Sequence, residues 1–247
     1  MKKAKKHYSF IYIILGIMFL LALWTVLQKI INNNLVVPDI PSVFRAFLAL
    51  LKQSKTYFII LKTIGRLIIT LIFCAALTLI LSYFSYKFEW FENFIKPFFS
   101  IMRTVPVVSL IIILLFLAGN DISPYFITAL VILPVMYEGI LSGFLAIDDT
   151  LKDELRLLSS VNFKIIMSVF IPMTLPYLIA SFLQSFGLGL KVMVMSEFIA
   201  QPKDTIGYVM LQERIYLDTA DIFAWTIIMA LFVFLVELVV KTIRKRI

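Results

Sequence analysis

The chain carries apolar runs too long and too numerous to be buried in a soluble domain of its size. They cover about 8–28, 57–84, 98–118, 124–146, 166–196 and 222–240. Roughly 20 apolar residues are enough for a helix to cross a bilayer core. Backbone groups in lipid must be paired within the segment or around a closed barrel. The runs are continuous rather than alternating, so helices are expected. Hydrophobic residues make up 62% of the chain, against about 45–50% in an ordinary soluble domain. The sequence therefore predicts an all-α transmembrane protein of about six membrane-spanning helices, forming one domain over 1–247.

Lys and Arg set the orientation. With the N-terminus inside, the inner segments hold fourteen of these residues and the outer segments seven. The positive-inside rule then places both termini in the cytoplasm. The net charge of +8 follows from this bias and an anionic inner leaflet, so nucleic-acid binding is not needed to explain it. The basic start MKKAKKHYSF resembles a signal peptide. Its apolar run is too long for one and no small-residue cleavage site follows, so a retained first span is expected.

Cys74 is the only cysteine and His7 the only histidine. A disulfide framework is excluded, as are intramembrane sites that need a histidine base or histidine metal ligand. No metal site is expected. No phosphate-cradling Gly-rich loop with Lys is present either.

Between the fourth and fifth runs lies a polar island, Ile147 to Lys164, reading IDDTLKDELRLLSSVNFK. Leu151, Leu155 and Leu158 recur at helical spacing, with Asp153, Glu154 and Arg156 off that edge. Such a short cytoplasmic helix is suited to docking its leucines in a groove of a soluble partner, or to lying on the bilayer. Elsewhere, Ser42 is expected to cap a surface helix over 43–53 whose Phe44, Phe47, Leu48 and Leu51 share a face. The segment 85–97 alternates aromatic and charged residues, as an interfacial belt does.

Charges within spans face protein or water. Lys62 and Arg66 share one face of the second span, and either snorkel outward or form a positive vestibule for an anion. Glu138 either pairs with a base or lines a path, and Glu197 is either a structural acceptor or a gate. Ser181, Gln184 and Ser185 form a polar stripe suited to packing or to pore lining. Gly187 and Gly189 permit close approach or bending. Pro172 and Pro176 make the start of the fifth span a kink point or a plain helix start.

Asp153-Glu154-Leu155, three residues, Ser159, nine residues, then Val169-Phe170-Ile171-Pro172 resembles the EAA loop of ABC importer permeases, which reads E-A-A, three, G, nine, I-x-L-P. Asp153 takes the Glu place and Ser159 the Gly place, while Glu154 and Leu155 stand where alanines are usual. Thr63 and Arg66 in KTIGRL resemble the T-x-x-R of the nitrate/sulfonate/taurine-type permeases. RTVPVVSLIIILLFLAG resembles their R-x-x-P run. Glu197, with Ile206-Gly207-Tyr208, resembles their E and G-x-G-Y segment, with Thr205 in place of the first glycine. The resemblance covers nearly the whole chain.

It implies a type I ABC importer permease, a two-fold dimer of a multi-pass subunit in the bacterial cell membrane. It implies two cytoplasmic ATPase subunits whose grooves receive the coupling loop 147–165, contacted by Asp153, Glu154, Leu155, Leu158 and Ser159, with Pro172 at the start of the next span. ATP and Mg would sit on the ATPase, and this chain would bind no cofactor. An extracellular or periplasmic binding protein would deliver a nitrate-, sulfonate- or taurine-like anion or a vitamin precursor. Lys62, Arg66, Glu138, Gln184, Ser185 and Glu197 are the candidates for the translocation path. The rivals are a secondary transporter or channel, which would normally show more spans or repeated halves, and an intramembrane enzyme, for which no clustered acid pair is present.

Overall fold

A computed structural model describes the backbone of residues 2–146 and 171–244, with side chains for 12–146, 173–240 and 242. Asp153, Glu154, Leu155, Leu158 and Ser159 lie outside the described residues, as does nearly all of the EAA-like loop. Among the described residues there are eight helices and no strand. They are α1 (Lys2–Ile31), α2 (Ile40–Lys52), α3 (Ser54–Lys87), α4 (Glu89–Thr104), α5 (Val107–Leu145), α6 (Ile171–Ala200), α7 (Ile206–Ile215) and α8 (Thr219–Arg244). Five of them, α1, α3, α5, α6 and α8, are long and apolar enough to cross a membrane.

Six apolar runs become five such helices because of α5. A straight helix of its 39 residues would measure about 58 Å, roughly twice a hydrocarbon core. Gly119 interrupts it, at φ 71° and ψ −179°, a conformation open to glycine at little cost. Ile111 and Ile127 share one buried cluster, with Val107 and Val131 packed on it. Ile111 and Ile127 would be about 24 Å apart along a straight helix, so the chain doubles back at Gly119. The two arms, 107–118 and 120–145, carry most of the expected spans 98–118 and 124–146. The remainder of the first, 98–104, closes α4. Pro106 has no N–H and biases Val105 away from helical geometry, and Val105 is extended at ψ 128°.

The described residues divide into two compact units, one within 1–56 and 210–229, the other within 57–209 and 230–247. In the second, α3 and the long arm of α5 run in the same direction. Arg66 meets Asp121 near one end, and Ser82 donates to the Tyr137 carbonyl 3.1 Å away near the other. α6 runs against both, with Thr128 beside the Met193 sulfur. Gly139 and Gly143 let α6 close on α5, since a Cβ there would run into Ser181 and Tyr177. Small residues four apart are a common means of close helix packing in membranes. Gly189 does the same against Leu67, whose Cδ1 would lie 2.9 Å from an added Cβ. Gly187 has open space around it.

In the first unit, Asn32 ends α1 in the left-handed region at φ 46°, a conformation asparagine tolerates as a helix stop. Trp24 donates to the Pro38 carbonyl at 3.0 Å and packs on Phe223. The cap of α2 is Asp39 rather than Ser42: the Ser42 N–H donates to Asp39 Oδ1 at 3.1 Å. The helix therefore starts three residues before the expected 43. Its buried side chains are Val43 and Leu50, whereas Phe44 and Leu48 are exposed. The inward face is thus turned by about one position from the apolar face expected from sequence. In a membrane protein the most apolar face of a surface helix can point to lipid and leave the next one for protein contact.

Candidate functional site

Glu197 lies in the last turn of α6, where an acid opposes the negative end of its own helix dipole. It is fully buried, so its stability rests on local donors. Thr63, on α3, donates its hydroxyl to Glu197 Oε2 at 2.9 Å, and the Gly207 N–H approaches the same oxygen at 3.4 Å. Thr63 Oγ1 in turn accepts from the Ile206 N–H at 3.0 Å. Thr205 caps α7: its hydroxyl accepts from the Tyr208 N–H at 3.3 Å and its carbonyl from Val209 at 3.1 Å. The free N–H groups that open any helix are satisfied here by Thr63, Glu197 and Thr205. A carboxylate facing those groups also gains from the positive end of the α7 dipole. The result is a buried polar clasp joining α3, α6 and α7.

The clasp explains two sequence details. Gly207 has no room for a Cβ, which would meet the backbone N of Phe198, the carbonyl O of Val194 and Cβ of Glu197. Thr205 stands where the resembling segment has glycine because this chain uses its hydroxyl as the helix cap. Neither is a matter of flexibility: Gly207 is required by close approach, not by a positive φ.

Around the clasp, Lys62 donates to the Lys203 carbonyl at 2.7 Å. Arg66 Nη2 pairs with Asp121 Oδ1 at 3.2 Å, and its guanidinium lies 5.4 Å from the centre of the Tyr125 ring. Lys62, Arg66 and Glu197, three of the six path candidates, are thus gathered at one end of the bundle. Asp121 and Tyr125 belong with them and were not singled out from the sequence. Their i, i+4 spacing just after Gly119 was the available signal, hidden within a run read only for hydrophobicity.

The other three lie elsewhere. Glu138 pairs with Arg103, whose Nη2 also donates to the Pro134 carbonyl at 3.2 Å. Close by, Tyr137 donates to Ser85 Oγ at 2.8 Å and packs on Phe99 with ring centres 4.3 Å apart. Gln184 is exposed, whereas Ser185 is buried and its hydroxyl has no hydrogen-bond partner among the described residues. Both are about 20 Å from Glu197 along α6. Pro172 lies within α6.

The one cluster with metal-ligand spacing among the described residues is Glu213, Asp218 and Asp221. Burial, with the Asp221 and Asp218 charges, holds the Glu213 carboxyl above its ordinary range. Asp218 has a structural task as the cap of α8, accepting from the Asp221 N–H at 3.2 Å. Among the described residues nothing else directs an ion to this cluster.

Five apolar membrane-length helices, close glycine-mediated packing and a buried polar clasp define a multi-pass membrane protein. Residues 75–247 match the family of binding-protein-dependent transport system inner membrane components. The chain belongs to that family and is the permease subunit of an ABC transporter. Comparison with curated proteins finds no match.

Proposed function

We propose that the chain is the translocating subunit of an ATP-driven importer of a small solute, most consistent with a nitrate-, sulfonate- or taurine-like anion or a vitamin precursor. Two copies form the path, a binding protein delivers the solute outside, and ATP and Mg act on a separate cytoplasmic ATPase. The coupling loop 147–165, through Asp153, Glu154, Leu155, Leu158 and Ser159, receives the ATPase stroke.

The observation that carries this reading is the reach of α6. Its thirty residues make a rod of about 45 Å, leading from the segment that holds the EAA-like motif to the clasp at Glu197. A displacement at the loop end is thereby passed to α3 and α7 at the far end, because Glu197 is bonded to both. Lys62 and Arg66 beside the clasp supply positive charge at that end.

The test is uptake into membrane vesicles containing the full system, offered taurine, methanesulfonate and nitrate. Accumulation of one of these only when ATP is supplied on the cytoplasmic side supports the importer. Accumulation driven by an ion gradient without ATP establishes the ATPase-independent transporter instead.

A further inference from the structure

A cavity of about 250 Å³ lies in the second unit, where α3, α5, α6 and α8 meet. Ala75 and Leu79 of α3, Ile140 of α5, Phe182 of α6 and Val240 of α8 line it. Ser181 is its one polar lining residue among the described residues, and that hydroxyl already donates to the Leu178 carbonyl at 3.0 Å. A held water needs two to four polar partners, and an apolar cavity of roughly 150 Å³ stays dry yet takes up benzene. This larger space is bounded by four membrane-length helices. Leu79 and Phe182 are exposed, so it opens to the surrounding hydrocarbon. Its depth is set by the helix ends. Leu79 is about 12 Å short of the end of α3 at Lys87, and Ile140 about 8 Å short of the end of α5 at Leu145. Val240 is followed directly by a basic run, Lys241, Arg244, Lys245 and Arg246. The cavity and the basic run therefore share the end of the bundle that the positive-inside bias assigns to the cytoplasm.

We propose that an anionic phospholipid of the inner leaflet inserts one acyl chain into this cavity, with its phosphate drawn to the basic run after Val240. The inference needs only the membrane character of the chain and goes beyond its role as a permease. Each half of the site selects one half of the lipid. The cavity has no free hydrogen-bonding group to offer, so it suits an alkyl chain and rejects a peptide backbone, whose polar groups would go unpaired there. Lys and Arg at the membrane surface attract anionic headgroups, and several together give a preference over zwitterionic lipid. The occupant also has a structural task. Ser181 closes on Gly139 where α6 packs against α5, and the same serine borders the cavity. An empty cavity would leave its lining side chains without partner atoms on one side; an acyl chain supports the α5–α6 contact from there.

The experiment places the full chain in phosphatidylcholine nanodiscs with a small share of phosphatidylglycerol carrying a diazirine on its acyl chain. After illumination, labelled peptides are mapped by mass spectrometry. Peptides containing Leu79 and Phe182 should be labelled several-fold more than those of α1, whose exposed side chains report ordinary lipid contact. Ala75→Phe fills the cavity and should bring that labelling down to the α1 level; Val240→Phe makes the same test from another helix if Ala75→Phe does not fold. Lys241→Gln, Arg244→Gln, Lys245→Gln and Arg246→Gln together should remove the advantage of phosphatidylglycerol over phosphatidylcholine bearing the same diazirine. Equal labelling of α1 and the cavity peptides overturns the proposal, as does enrichment that survives both filling variants. Enrichment equal for the two headgroups and unchanged by the four glutamines overturns the anionic lipid. Cavity peptides labelled in the monomer but protected in a dimer would assign the opening to a second copy instead. The assay contains neither ATPase nor transported solute, so its failure leaves the importer reading standing, and failure of ATP-driven uptake leaves the lipid site standing.

Discussion

Thr63→Val removes the hydroxyl at the centre of the clasp and keeps the side chain's shape. In the native chain that hydroxyl donates to Glu197 Oε2 at 2.9 Å and accepts from the Ile206 N–H at 3.0 Å. Both partners are buried, so water does not readily replace it. Glu197 Oε2 would keep only the long contact to Gly207, and Glu197 Oε1 has no hydrogen-bond partner among the described residues. A buried donor or acceptor left unmade costs about 1–3 kcal/mol. With two such groups the expected loss is about 2–6 kcal/mol by the same rule. Thr63→Ser, which keeps the hydroxyl and drops one methyl, should cost about 1 kcal/mol. Thermal unfolding of both variants in one detergent or nanodisc separates these effects. A double-mutant cycle with Glu197→Ala should show strong coupling for Thr63→Val and little for Thr63→Ser. If Thr63→Val is as stable as Thr63→Ser, the two hydrogen bonds do not hold α3, α6 and α7 together and the clasp argument is wrong.

Gly207→Ala should impair assembly or stability severely, since the added Cβ meets backbone atoms of Val194 and Phe198, whereas Gly187→Ala, with open space around it, should be tolerated; yield and melting temperature decide. The Ser42 hydrogen bond, opposed in part by burial and helped by Arg45, holds the Asp39 carboxyl below its ordinary range. A depressed acid contributes stability above its unfolded pKa of about 4 and loses it as pH falls through the lower folded value. Amide exchange at Ser42 and Val43 should therefore speed up in that acid window, and Asp39→Asn, still able to cap, should flatten the pH dependence. Arg103 and Glu138 are about half exposed, so a double-mutant cycle should give a coupling of no more than about 1 kcal/mol; a value several times larger would mean the pair is buried in the working assembly.

The membrane character was legible because it depends only on run length and charge, which no tertiary detail can hide. The break at Gly119 was less so: the sequence shows a glycine between apolar runs, while the reversal follows from Ile111 and Ile127 joining one buried cluster with Val192. The α2 cap was missed because Asp39 and Ser42 both suit the role. The choice of Asp39 follows from the helix beginning at Ile40-Pro41, where proline is well placed in the first turn. Glu197 and Gly207 were legible as a resemblance, but their reason was not. That reason is a contact with Thr63, more than a hundred residues away in sequence, which local pattern cannot supply. The Gly139 and Gly143 pair was not singled out from the sequence; only the approach of Ser181 and Tyr177 gives it a task.

The most direct test of the account is purification of the full chain from its native membrane in mild detergent, with identification of what accompanies it. The account predicts a stoichiometric ATPase subunit that is lost when Leu155→Asp and Leu158→Asp are introduced together, while the chain itself remains folded. A chain recovered alone, or one whose double variant still transports, would contradict the proposal that this subunit draws its work from ATP through the 147–165 loop.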